Sequence, residues 1–278
     1  KPTDAQPGEA GDLLTLGFKD PEDEAAFIVR TIQALRGSAF TEGDVTRGLS
    51  WSDFAIRIRS GLKRNAAPIV TALNAAGIPY LIQGMNTLFD TREANAARAL
   101  FYFLVGRFEL DEDTLRTAWR NAALGLSDAN LDRALDLAKD RKGRLADVTQ
   151  ERWNVYNIQR LFLDFLEAAE LREERVPDGR GEVVFYNLGQ FSQLISDFET
   201  IHFHSKPIEK YEAFASFLQY SAESEYAEGI QKNAYANPDA VRILTVHKAK
   251  GLQWPVVFIP GVGRNRFPMP GIGGATAW

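Results

Sequence analysis

At 278 residues, 45% of them hydrophobic, the chain is long enough for one large domain or two ordinary ones and can supply a real core. The absence of cysteine excludes disulfide frameworks and thiolate zinc sites, and three histidines (His202, His204, His247) are too few for a His-rich metal site, so no metal site is expected. A net charge of -5 does not advertise a nucleic-acid binder, so any phosphate contact has to be local; no apolar run nears the ~20 residues that cross a bilayer, and we expect a cytoplasmic chain with a loose, polar start over Lys1 to Asp12 and no membrane partner.

In chain order, Asp20-Pro21-Glu22-Asp23 combines a capping residue, a proline preset for the first helical turn and acids suited to the positive helix end. A helix should start there, with Ile28, Ile32 and Leu35 as its buried stripe and Gly37 as its stop. After a polar loop, Phe54 to Arg59 alternates apolar and basic residues, which predicts a strand with one exposed side. Pro68 to Ala76 reads as a helix stopped by Gly77, and Ile78 to Gln83 as the next strand, giving β-α-β order.

From Arg92 the 3.6-residue period takes over and predicts helices through Phe103 and near 112–124, 128–140, 152–171, 189–200 and 208–227. Phe101, Tyr102, Phe103, Trp153, Phe162 and Phe165 have helical spacing, which favours core packing over base stacking. Pro177 to Gly181 is a turn signal, and the apolar run Val183 to Tyr186 after it is too short to classify. Strand character returns at Val241 to Thr245 and at Val256 to Gly261, with a possible helix start near Lys248 between them. The economical fold class is α/β, with one parallel-sheet domain interrupted by an all-helical insertion: 1–105 and 239–278 form the sheet domain and 106–238 the insertion.

Two short basic segments qualify as phosphate contacts, Arg57 to Arg64 and His247 to Lys250. In the second, a strand ends in Thr245, His247 and Lys250, whose hydroxyl, imidazole and ammonium groups all donate to phosphate oxygens, while backbone around Gly251 can approach a ligand without a Cβ in the way. The carboxyl edge of a parallel sheet is where α/β proteins bind ligands. The bland alternative is that Thr245 and His247 only cap the next helix.

The stretch VRILTVHKAKGLQWPVVFIPGVGRNRFP, Val241 to Pro268, closely resembles motif V of UvrD/Rep/PcrA-type superfamily 1 DNA helicases, with matches at Thr245, His247, Ala249, Lys250, Gly251, Leu252, Trp254, Gly261, Phe267 and Pro268. Asp53 to Leu104 resembles motif IV and its sequel in architecture and, at Ala72-Leu73, Gly77 to Tyr80, Gly84, Phe89 and Arg92-Glu93, in letters. The resemblance implies a partial RecA-like domain of the P-loop NTPase fold, the second motor domain, with a helical 2B-like insertion. It further implies DNA contacts at Thr245, His247 and Lys250 and ATP contacts at Gly251 and Gln253, where Gln253 stands in place of the family's usual Glu and brings an amide without charge. The family's motif IV arginine, which reaches the ATP phosphates, has no residue in its usual place; Arg59 and Arg64 are the candidates.

A phosphate-binding loop of the form G-x-x-x-x-G-K-[ST] is absent, as is an apolar strand ending in paired acids, and the chain stops at Trp278 short of the family's motif VI. No catalytic residue is therefore expected in this chain. The reading is part of an ATP-dependent 3′-5′ DNA helicase or translocase, inactive in ATP hydrolysis by itself. In the full-length protein ATP and Mg2+ would be the cofactors, with none bound to this part, and single-stranded or duplex DNA and an N-terminal RecA-like domain the partners. Two other readings stay open: a stand-alone helicase-derived DNA- or protein-binding module, and part of a RecB/AddA-like helicase–nuclease.

Overall fold

The computed structural model describes residues 13–83, 88–146, 157–202, 207–222 and 238–263. The expected loose start at Lys1 to Asp12, the residues Trp153 and His204, and the motif matches Gly84, Phe267 and Pro268 lie outside them.

Helix α1 (Pro21–Leu35) begins where its cap signals place it: the Asp20 carboxylate accepts from the Asp23 amide at 2.8 Å, with Pro21 in the first turn. Its inner stripe is Ala25, Ile28, Val29 and Ile32. The segment expected as a polar loop contains instead an antiparallel hairpin, β1 (Ala39–Glu42) and β2 (Val45–Gly48), closed by Gly43 and Asp44. Gly43 has φ +59°, the left-handed conformation that a two-residue hairpin turn demands. The hairpin's mostly exposed strands carry little apolar signal.

The sheet domain comprises β3 (Phe54–Ile58), α2 (Leu62–Ala75), β4 (Tyr80–Gln83), β5 (Val241–Thr245) and β6 (Val256–Phe258), in the spatial order β4-β5-β3-β6 with every pairing parallel. The expected exposed side of β3 is corrected: Phe54, Ala55, Ile56 and Ile58 are all buried and Arg57 is half-buried, because β3 lies inside the sheet with both faces covered. One face packs Phe54, Ile56, Ile58, Val241 and Ile243 against Ile28 and Ile32 of α1 and Ile69 and Leu73 of α2. The other face has two smaller patches, Ala55 and Leu244 under Ala249 and Trp254, and Leu81 and Ala240 under Val183 and Tyr186.

Helix α2 starts at Leu62, six residues ahead of the expected Pro68, which lies inside it. Pro68 has no N–H for the carbonyl of Arg64, a loss that water can make good at an exposed residue. The sequence after β4 leads into α3 (Arg92–Leu104), α4 (Glu112–Asn121), α5 (Asp128–Ala146), α6 (Ile158–Ala168), α7 (Gly181–Ile201) and α8 (Pro207–Tyr220). Their common core centres on Phe101, whose ring lies 4.9 Å from Phe214, 6.0 Å from Phe191 and 6.3 Å from Phe162, and it includes a tilted pair, Trp119 and Phe165, with centroids 4.7 Å apart. The aromatic run Phe101 to Phe103 and Phe162 and Phe165 thus pack as the helical spacing predicts.

The unclassified run Val183 to Tyr186 is the start of α7, which keys the helical part to the sheet. Around it, buried Glu93 accepts from Asn187 Nδ2 at 2.6 Å and from Arg180 Nη2 at 3.4 Å, and Glu182 accepts from the Asp239 amide at 2.7 Å. Among the described residues no helix is long and apolar enough to cross a membrane.

Candidate functional site

Four parallel strands carry their carboxyl ends to one edge, and register decides what meets there. Ile58 pairs with Thr245, Leu244 with Gln83 and Ile56 with Phe258, so the segments after β3, β5 and β6 leave the sheet side by side. The Val246 amide extends the ladder by donating to the Ile58 carbonyl at 3.0 Å. Thr245 and His247 therefore stand on the rim of a parallel sheet, where ligands of α/β proteins bind.

The chain does not begin a helix near Lys248, contrary to expectation; residues 246–251 form successive turns, with the Ala249 amide donating to the Thr245 carbonyl at 3.0 Å, Lys250 to His247 at 3.3 Å and Leu252 to Ala249 at 3.0 Å. A helix fails to propagate because Gly251 takes φ +83°, reversing the chain within two turns of its start. Among the described residues, nothing beyond its chain neighbours lies within 4 Å of where a Cβ on Gly251 would sit, so the glycine answers a conformational need rather than a close contact.

Thr245 Oγ1 accepts from the Lys248 amide at 3.3 Å. Its capping role is real, yet the hydroxyl hydrogen still has a donor direction to offer. Buried Ala249 anchors the turn on Ala55 and Leu244, while His247, Lys248, Lys250, Gly251 and Gln253 are exposed. His247, Lys248 and Lys250 have no acidic ion-pair partner among the described residues.

The other arm of the edge is the link from β3 to α2. Arg59 and Arg64, both exposed, lie on that link and in the first turn of α2, behind Gly61 at φ +62°. The Asn65 side chain closes the link, its Nδ2 donating to the Ser60 carbonyl at 2.6 Å. All seven residues singled out from the sequence, Arg59, Arg64, Thr245, His247, Lys250, Gly251 and Gln253, thus fall on segments that issue from or flank this one edge. The end of β6 is engaged elsewhere: the Gly261 amide donates to the Glu24 carboxylate at 3.1 and 3.2 Å, tying the strand to α1.

Sequence reasoning counted Arg57 only as the first residue of a basic segment and missed its contacts with the glycine turn. Its Nη2 donates to the Leu252 carbonyl at 3.1 Å, and its guanidinium lies 5.2 Å from the Trp254 ring centroid. The alternation in β3 held the signal, since Arg57 shares the face of Ala55 and not that of Phe54, Ile56 and Ile58.

Chemically the edge offers a hydroxyl, an imidazole, an amide, ammonium and guanidinium groups and open backbone, a donor set suited to phosphate and ribose oxygens. No group of three or more acidic or histidine side chains able to hold a metal ion occurs among the described residues. None of the residues singled out at this edge carries a carboxylate.

Residues 154–271 match the family model of the UvrD-like helicase C-terminal domain. Over 284 aligned residues the chain is 27% identical to an ATP-dependent helicase/nuclease protein of Bacillus cereus strain B4264, and equally to its counterpart in Bacillus thuringiensis strain Al Hakam; each alignment covers 87% of this chain and 21% of the relative. The chain thus spans about a fifth of the length of these curated relatives. The family match includes α6 to α8 and the glycine turn, and the mixed architecture with its parallel sheet agrees with a partial RecA-like fold. Motif, sheet and matches converge: residues 154–271 match a UvrD-like helicase C-terminal domain, and the chain is similar to the corresponding portion of superfamily 1 helicases of that type.

Proposed function

We propose that this chain is one jaw of an ATP-dependent 3′-5′ DNA helicase or translocase, with sheet-domain parts at 1–105 and 239–278 and a 2B-like insertion at 106–238. The observation that carries the proposal is the parallel register of β3 and β5, which sets the turn 245–251 beside the β3–α2 link. Thr245, His247 and Lys250 hold the phosphate backbone of single-stranded DNA. Gly251 and Gln253 meet the ribose of ATP, and Arg59 or Arg64 reaches its phosphates.

ATP with Mg2+ supplies the phosphoryl chemistry when bound between this jaw and an N-terminal RecA-like domain of the same protein. This chain's own residues bind and orient: a guanidinium beside the terminal phosphate offsets charge that grows during transfer, an effect typically worth on the order of a thousandfold in rate. Closure of the two jaws around nucleotide shifts their grips on DNA relative to one another, which is differential binding turned into movement. Without a phosphate-binding loop the chain alone does not turn over ATP. A second reading, favoured by the name of its relatives, makes the complete protein the helicase part of a helicase–nuclease.

The test is fluorescence anisotropy of a labelled single-stranded oligonucleotide with the isolated chain, alongside an ATPase assay. The reading expects weak, salt-sensitive binding that drops several-fold in His247→Ala, and no DNA-stimulated hydrolysis. Tight binding indifferent to salt, or turnover above background, overturns it.

A further inference from the structure

Arg57 is a cation in the middle of a buried sheet that meets no acid through any hydrogen bond or ion pair among the described residues. It sits one step towards the carboxyl edge from Ala55, on the same face, and what it touches is the far arm of the glycine turn: the Leu252 carbonyl at 3.1 Å and the Trp254 ring at 5.2 Å. Its Nε is buried and has no hydrogen-bond partner among the described residues. An unpaired buried N–H is unfavourable, and a methionine or leucine would fill the same face without it. Packing alone does not explain an arginine at this position.

The carbonyl that Arg57 holds explains it better. Leu252 C=O belongs to the peptide plane shared with Gln253, and in a trans peptide the C=O and the following N–H point in opposite directions. With the carbonyl pinned towards β3, the Gln253 N–H is turned away from the sheet, next to Gly251 and the exposed Gln253 side chain. The Trp254 ring under the guanidinium fixes the other end of the same short segment, and Ala249 fixes its start. The arm 251–253 is thereby held at both ends, with the Leu252 N–H closing back on the Ala249 carbonyl and the Gln253 N–H facing outward.

We propose that Arg57 is a positioning residue for the nucleotide: through the Leu252 carbonyl and the Trp254 ring it presents Gly251 and Gln253 to the ribose, without touching the nucleotide or DNA itself. This rests on the reading of the turn given above. Lysine cannot reproduce the arrangement in full, because it can donate to one carbonyl but lacks the flat face that lies on Trp254.

The test uses the complete helicase polypeptide and measures DNA-stimulated ATP hydrolysis for Arg57→Met, Arg57→Lys and Gln253→Ala. Arg57→Met should raise KM for ATP by roughly tenfold while kcat stays within about twofold, with Arg57→Lys in between. The salt slope of single-stranded DNA binding should be unchanged in Arg57→Met, whereas a lost phosphate contact lowers it by about one. Thermal unfolding of each variant separates lost folding from lost positioning, and Arg57→Lys carries the comparison if Arg57→Met does not fold. If Gln253→Ala raises KM and neither Arg57 variant does, the positioning role is wrong and the site stands. If none of the three moves KM, the nucleotide reading of the turn falls with it. A slope lowered by about one makes Arg57 a direct phosphate contact and also overturns the proposal.

Discussion

Asp53 and Arg47 meet through two short contacts, 2.5 and 2.6 Å, and the same carboxylate accepts from the Ser50 amide at 2.7 Å. The Arg47 hydrogen bond is the main cause that holds the Asp53 carboxyl below its ordinary range, with Ser50 adding to it against the cost of burial. A depressed folded-state value means stability that is present above the unfolded value, near 3.8, and is lost as pH falls through the folded one. Asp53→Asn should therefore destabilise by ~1 kcal/mol at neutral pH, a modest figure because Arg47 is partly solvated, and the difference from the parent should fade below pH 4 in urea unfolding. Gly251→Ala should cost about 1 kcal/mol in thermal unfolding, since alanine at φ +83° is strained although nothing blocks its methyl. Of the site residues, those in the turn were legible because the motif is contiguous. Arg57 was not, because its partners Leu252 and Trp254 are almost two hundred residues away and only the fold brings them together.

Among the elements, α1 was legible down to its cap because Asp20, Pro21 and the acids act on their immediate neighbours. The β1–β2 hairpin was not: its strands are mostly exposed, so no apolar alternation marks them, and only Gly43-Asp44 between β-branched residues held a signal. Val183 to Tyr186 was opaque for a different reason, since the first turns of α7 touch both the helical core and the sheet and so show no single apolar stripe. The core helices follow periodicity because one centre organises them. Phe101→Ala removes the ring that Phe162, Phe191 and Phe214 share and should cost ~3–5 kcal/mol by chemical denaturation.

For the whole molecule, charge is divided by region. Acids outnumber bases across 106–238, and the reverse holds for the remainder. On the helical part, Arg116 pairs with Asp132, Arg120 with Asp128 at 2.7 Å, Lys139 with Glu112 at 3.1 Å and Arg133 with Glu170 at 2.7 Å, so these cations are already neutralised by acids. At the carboxyl edge His247, Lys248 and Lys250 are exposed. An overall acidic chain can therefore bind phosphate at one place, as local contacts and counterion release require. Arg120→Glu should leave the dissociation constant for single-stranded DNA within about twofold of the parent, while Lys250→Ala weakens it several-fold by anisotropy at low salt.

The most direct measurement is photo-crosslinking of the chain to a single-stranded oligonucleotide carrying 4-thiothymidine, with the attached residues read by mass spectrometry. Crosslinks should concentrate within Thr245 to Lys250 and disappear when salt is raised. Crosslinks on α4 and α5 with none in the glycine turn would contradict the account.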